Sequence, residues 1–321
     1  VIDEFGSDPE AAIAAAAKRY SNWNRWGADD GVGTVNFLDA EKRAAAAALI
    51  RRGVSFSLSL PFDENGPQFG WKRRVNPVHT MMSTGMDTAE QMGLPHGLSV
   101  ADDAVFMPLQ CSTQWDGLGH VFDHGVAWNG RAGREVVTSE GDVATGIERL
   151  AAPVVGRGVL LDVGRALGED GELPDGYPIT SADLESTRER QGVSIGRGDL
   201  VLVRTGQLTR VRRGEGWGTY AGGPAPGLSF ETLGWLHGTE IAAVATDTWG
   251  VEVRPNEWPD AMQPLHQVAL PHIGLLLGEM WDLDALAADC AADGVHEFFL
   301  AAQPLPFTRA VGSPVNPVAV K

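Results

Sequence analysis

Gln110-Cys111-Ser112-Thr113-Gln114-Trp115-Asp116-Gly117-Leu118-Gly119-His120 is the stretch on which the reading of this chain turns. It sets a carboxylate and an imidazole four residues apart, Asp116 and His120. Two amides, Gln110 and Gln114, repeat that spacing just upstream. Polar groups packed among Trp, Leu and Gly point to a pocket where ligands converge on a metal or a substrate carbonyl. On spacing alone, an Asp and a His at i, i+4 also fit a helix-surface pair or a core hydrogen bond. The mixed pattern from Pro108 through Val121 places the run at a strand end leading into a turn or short helix.

Working outward, strand and helix signals alternate along the chain. Pro9 to Tyr20 is Ala-rich, with acidic residues early and Lys18-Arg19 late, as a helix macrodipole favours. Asp39 to Arg52 reads as a second helix, with Gly53 just past its end. Residues 54–60 alternate apolar and polar like a half-buried strand. Pro61 to Pro77 reads as a loop. Residues 158–163, 200–203 and 241–245 are short Val-, Leu- and Ala-rich runs of the buried-strand type, the last ending at Asp247. Ser181 opens a helix with a capping-box-like start, and Ser229 caps another running to His237. Leu283 to Asp293 reads as helix, and Glu297 to Leu300 as strand. There is no internal repeat, low-complexity tract or interdomain linker. The expected fold is one mixed α/β domain over residues 1–321, with 1–53 a helical N-terminal segment.

Composition sets the outer limits. The 321 residues, 43% hydrophobic and 21% charged, form a core that needs no disulfide staples. Two cysteines, Cys111 and Cys290, fit a reducing, cytoplasmic setting and stand in no CxxC pair. The net charge of −17 argues against nucleic acid or an anionic membrane as partner. No apolar run approaches the ~20 residues of a membrane span. The N-terminus lacks a signal-peptide pattern. The chain opens at Val1, without an initiator methionine, so a removed leader stays open.

The key run resembles the signature of the cyclase family of metal-dependent hydrolases, which includes kynurenine formamidase and isatin hydrolase. The family pattern is His-x-Gly-Thr-His-x-Asp-x-Pro-x-His. Thr113, Asp116 and His120 match it. Gln110 and Gln114 replace the first two His, Ser112 the Gly, and Leu118 the Pro. The resemblance extends over nearly the whole chain: Arg25 to Asn36 is similar to the opening of one branch, Gly198 to Gly206 to the central strand, and Pro226 to Ser229, Thr246 to Thr248 and Gly312 to Pro317 to later landmarks. His266, Gly274 and Glu279 are similar to the segment that completes the family's metal site. The resemblance implies a central β-sheet or barrel-like core flanked by helices, in a homodimer or homotetramer. It also implies N-terminal aromatics, Trp23 or Trp26, that reach a neighbouring subunit.

On this resemblance the expected metal ligands are Asp116, His120, His266 and Glu279, with one divalent ion, Zn or Mn, retained and a second lost or bound weakly with the two His-to-Gln changes. His272 is the alternative to His266, and the interval to Glu279 is slightly longer than usual in the family. Glu279 follows an apolar strand, so it is either bound or a strand-end charge facing solvent. The expected reaction is the opening of an amide or lactone bond in a small cyclic or aromatic substrate by activated water. Gln114 would steady the oxyanion, and His120 or His79 would relay the proton. Gln110, Trp115 and Trp26 are the expected substrate contacts. His96 sits in a Gly/Pro-rich loop that could line a pocket, and Arg204 should pair with Asp247 or Asp162. A metal-free lyase on the same scaffold, with the amides orienting substrate, and an inactive binding protein are the rival readings.

Overall fold

The Val- and Leu-rich runs become the centre of one nine-stranded sheet. The computed structural model describes residues 6–87 and 93–321. In chain order the principal strands are β1 (Ser55–Ser57), β2 (Val78–Thr84), β3 (Ala101–Phe106), β4 (Gln114–Asp116), β5 (Val155–Asp162), β6 (Leu200–Arg204), β7 (Ala243–Thr246), β8 (Leu276–Glu279), β9 (Glu297–Ala301), β10 (Gly312–Pro314) and β11 (Val318–Val320). The sheet runs β1-β11-β9-β5-β6-β7-β8-β4-β10. Its middle four strands, β5 to β8, are parallel and its outer strands antiparallel. β6 and β7 are buried at every residue, which is why they read as unbroken apolar runs. The sheet curls into a half-barrel flanked by helices, a single mixed α/β domain as expected.

The helices follow their capping chemistry. In α1 (Pro9–Arg19) the Asp8 carboxylate accepts the Glu10 N–H, and Lys18 and Arg19 close the last turn. α2 (Ala40–Ala47) stops five residues before the expected Arg52. The N–H groups of Arg52 and Val54 donate instead to the Lys321 carbonyl, beside β11. α3 (Ser181–Gln191) is capped by Thr180 with Asp183 rather than from Ser181. Ser229 gives no side-chain cap: a 3₁₀ turn, Phe230–Thr232, precedes α4 (Leu233–Gly238). Further along come α5 (Pro264–Val268) and α6 (Asp284–Asp293).

Arg204 pairs with Asp162 and Asp284, each at 2.9 Å. Asp247 turns instead to the backbone of Thr205 and Gly206. The hairpin β2–β3 has no counterpart in the sequence expectations. Among the described residues its two strands pair only with each other, and every residue of β3 is exposed.

Candidate metal centre and active site

The centre is built where β4 and β8 lie side by side. Asp116 ends β4 and Glu279 ends β8, in an antiparallel register that sets Glu279 opposite Gln114. Strand alternation then separates neighbours. Trp115 is fully buried on the other face, its Nε1 donating to the Ala302 carbonyl and its ring against Trp281. It is a core residue and not the substrate contact expected of it.

His266 arrives from α5. Glu252 accepts the N–H groups of Leu265 and His266 at 3.1 Å each, capping that helix, and meets His266 Nδ1 at 2.5 Å. This grip aims Nε2 at Glu279 Oε1, 3.3 Å away, and at Asp116 Oδ2, 4.0 Å away. One ligand atom from each of Asp116, His266 and Glu279 lies within 4.8 Å of the others, and all three residues are buried. Burial and the neighbouring Asp116 push the Glu279 carboxyl above its usual range. Burial disfavours charge on His266, but the hydrogen bonds and charges of Glu252 and Glu279 outweigh it and raise the imidazole to about 10. Two buried carboxylates beside one imidazole form a donor set that a hard or borderline divalent cation fits. A cation there relieves the repulsion that lifts Glu279.

Gln114 is fully buried between the acids. Its Nε2 donates to Glu279 Oε2 at 2.8 Å and to Asp116 Oδ1 at 3.1 Å, while its Oε1 has no partner. Both amide hydrogens are thereby committed, so the oxyanion role expected of Gln114 does not fit this geometry. His120 follows the turn after β4, 3.7 Å from Asp116 Oδ2 and one-fifth exposed, with Arg74 Nη2 3.5 Å from its Nε2. It lies outside the three-donor group. Burial lowers its pKa against the pull of Asp116, so the ring is neutral at pH 7.

The structure does not bring every expected residue to the centre. His79 stands exposed on β2, near the open end of the hairpin, and pairs with Asp103 at 2.8 Å rather than with the acids of the centre. His96 is exposed in a 3₁₀ turn. His272 is buried but bound to Asp123 at 2.8 Å and stacked on Trp23. Trp26 packs on Phe37 and Trp128 of its own chain. Gln110 abuts β10 beside Gly312, which pairs with Asp116, and has no recorded hydrogen bond to the centre.

Four residues at the site escaped the sequence reading. Glu252 sits in an apolar run as Glu279 does, and that shared oddity is the signal that could have found it. Lys72, Arg74 and Gln263 sit in loops with no pattern to betray them. Lys72 Nζ donates to Gln263 Oε1 at 2.7 Å, and Gln263 Nε2 lies 3.5 Å from His266 Nε2. An open surface cleft of 360 Å³, lined by Lys42, Arg157 and Asp199 among others, holds none of these groups.

Comparison with known proteins agrees with this architecture. A structure described as a novel cyclase is 41% identical, with a TM-score of 0.85 over 94% of this chain and 100% of that one. Isatin hydrolase A from Ralstonia solanacearum is 18% identical, with a TM-score of 0.62 over 88% of this chain and 96% of its own. An isatin hydrolase bound to the product analogue thioisatinate is 16% identical, with a TM-score of 0.60 over 88% and 98%. The last two likenesses show the fold. No curated protein matches. The Cyclase family model matches residues 56–253, and on that match together with the 41% identical structure the chain belongs to the Cyclase family.

Proposed function

We propose that this protein is a metal-dependent hydrolase that opens an amide or lactone bond of a small cyclic or aromatic molecule. The observation that carries the reading is the buried convergence of Asp116, His266 and Glu279 from three separate elements. These residues would hold one divalent ion, Zn or Mn. When bound, such an ion lowers the pKa of water and polarises a carbonyl. Glu252 fixes the His266 ring, so that Nε2 faces the centre. Gln114 holds the two carboxylates in place by donating to both. His120, neutral and on the open side, is placed to take a proton and pass it to a leaving group.

The likeness to isatin hydrolases makes isatin the first compound to try. The test is metal content per chain by elemental analysis of protein purified without chelator, followed by ring-opening assays. About one ion per chain, with activity lost on chelation and restored on reloading, supports the proposal. Close to two would give the glutamines a ligand role. A folded protein that cannot be loaded would sink it. Activity that survives chelation would transfer the site to the metal-free lyase reading.

The same reading includes a homo-oligomer. Its support is the hairpin β2–β3, which exposes Met81, Met82, Val105 and Phe106 to solvent. A lone two-stranded hairpin is marginal in water, and a second copy covering it would supply the missing packing. Among the described residues no helix is long and apolar enough to cross a membrane. Both cysteines are buried and free, which supports a reducing, cytoplasmic setting.

A further inference from the structure

The rim of the centre is positively charged in a chain of net charge −17. Trp71 and Trp249 pack with ring centroids 5.0 Å apart. Three cations gather on that pair. Lys72 Nζ lies 5.1 Å from the Trp71 ring and Arg254 Cζ 5.2 Å from it, while Arg74 Cζ lies 5.2 Å from the Trp249 ring. Among the described residues none of the three has a carboxylate within the 4.0 Å of an ion pair. Their recorded hydrogen bonds go to neutral groups: Lys72 to Gln263, Arg254 to the Gly222 carbonyl at 2.8 Å, and Arg74 toward His120. Their charges act on the acids of the centre. Lys72 feels Glu279 and Asp116, Arg74 acts on Glu279, and Arg254 feels Glu252 and Glu279.

The segment that brings them there is strained. Lys72 and Arg73 both adopt left-handed backbone, at φ 52° and 61°, just after Gly70 at 99°. A non-glycine residue held there is strained, and such strain gathers at ligand clamps.

We infer that the substrate carries an anionic group, a carboxylate, which Arg74, Lys72 and Arg254 hold against the Trp71–Trp249 pair while the bond to be opened lies over the acids. The inference rests on the proposed catalytic centre being where substrate is bound. It goes further in giving the ring compound a charge before any bond is broken. Guanidinium groups take carboxylates through paired, charge-assisted hydrogen bonds.

The probes are benzoate and benzamide, of matched shape and different charge, titrated calorimetrically into chelator-treated and metal-reloaded protein. Chelated protein removes direct metal–carboxylate binding from the comparison. Benzoate should bind both forms at least ~10-fold more tightly than benzamide, and more weakly as salt rises. Arg74→Gln should cut benzoate affinity by about tenfold and leave benzamide unchanged. Lys72→Gln, at the surface, and Arg254→Gln should each cost several-fold and keep the test standing if the buried Arg74 variant misfolds, which circular dichroism of all three variants reports. Equal binding of the two probes, no binding of either, or a preference that survives in all three folded variants would overturn the inference. Discrimination in a protein that holds no metal and opens no ring would remove the hydrolase reading and leave the anion site standing. A metal-loaded enzyme that opens neutral rings without preferring benzoate would do the reverse.

Discussion

His266 is held from both ends: Glu252 at Nδ1, and Glu279 and Asp116 facing Nε2. Glu252→Gln should therefore weaken metal binding about 10–100-fold, the usual cost of losing such a supporting carboxylate. Glu279→Gln, which removes a donor, should abolish stoichiometric metal; equal retention in both variants would place the ion elsewhere. The acid environment also sets a pH dependence. His266 is raised to about 10 from an ordinary 6.5. Its contribution to the stability of metal-free protein is complete below pH 6.5 and is lost as pH rises through about 10. Because a ligating imidazole must be neutral, metal binding between those limits should release close to one proton per ion. Calorimetry in two buffers of different ionisation enthalpy measures this, and an uptake or no release would contradict it. At this scale Asp116, His266 and Glu279 were legible because a motif resemblance marks them. Glu252 and Arg74 were not, because their roles exist only once distant segments meet.

Elements were more legible than their ends. The buried strands stand where their apolar runs placed them, since a run buried on both faces leaves a direct trace in sequence. α2 ends early in tightened i−3 turns, in which the Ala48, Leu49 and Ile50 N–H groups donate to Ala45, Ala46 and Ala47, and the chain then turns its Arg52 and Val54 N–H groups to the distant Lys321 carbonyl, a partner that no local signal carries. The hairpin β2–β3 escaped because its side chains face solvent, without the alternation that burial imposes. One close approach between elements invites a test. Gly33, at φ 59°, lies where a Cβ would meet the Gly274 carbonyl oxygen at 2.1 Å. The Thr34 N–H and hydroxyl donate to that same oxygen. Gly33→Ala should destabilise the fold by about 3 kcal/mol or more, seen as a Tm lower by ~5 °C. An unchanged Tm would mean that this contact yields freely.

At the scale of the whole molecule, the strand order could not be read from the chain, because β4 takes its neighbours from the far C-terminal region. The exposed arm gives a prediction of its own. Phe106→Asp with Met82→Asp, both at strongly exposed positions, should lower the mass in solution measured by light scattering, without unfolding the chain. An unchanged mass would place any subunit contact on another face.

The insertion of β4 between β8 and β10 also has a temporal meaning. On the ribosome, Gln114–Asp116 emerges about 160 residues before Glu279. At ~5–20 residues per second, that segment waits roughly ten to thirty seconds without either sheet neighbour. The centre is thus a late product of synthesis. Ion capture would report that translation has nearly finished, and a nascent chain interrupted before β8 would expose a Trp-bearing strand to holdase chaperones rather than assemble a partial site.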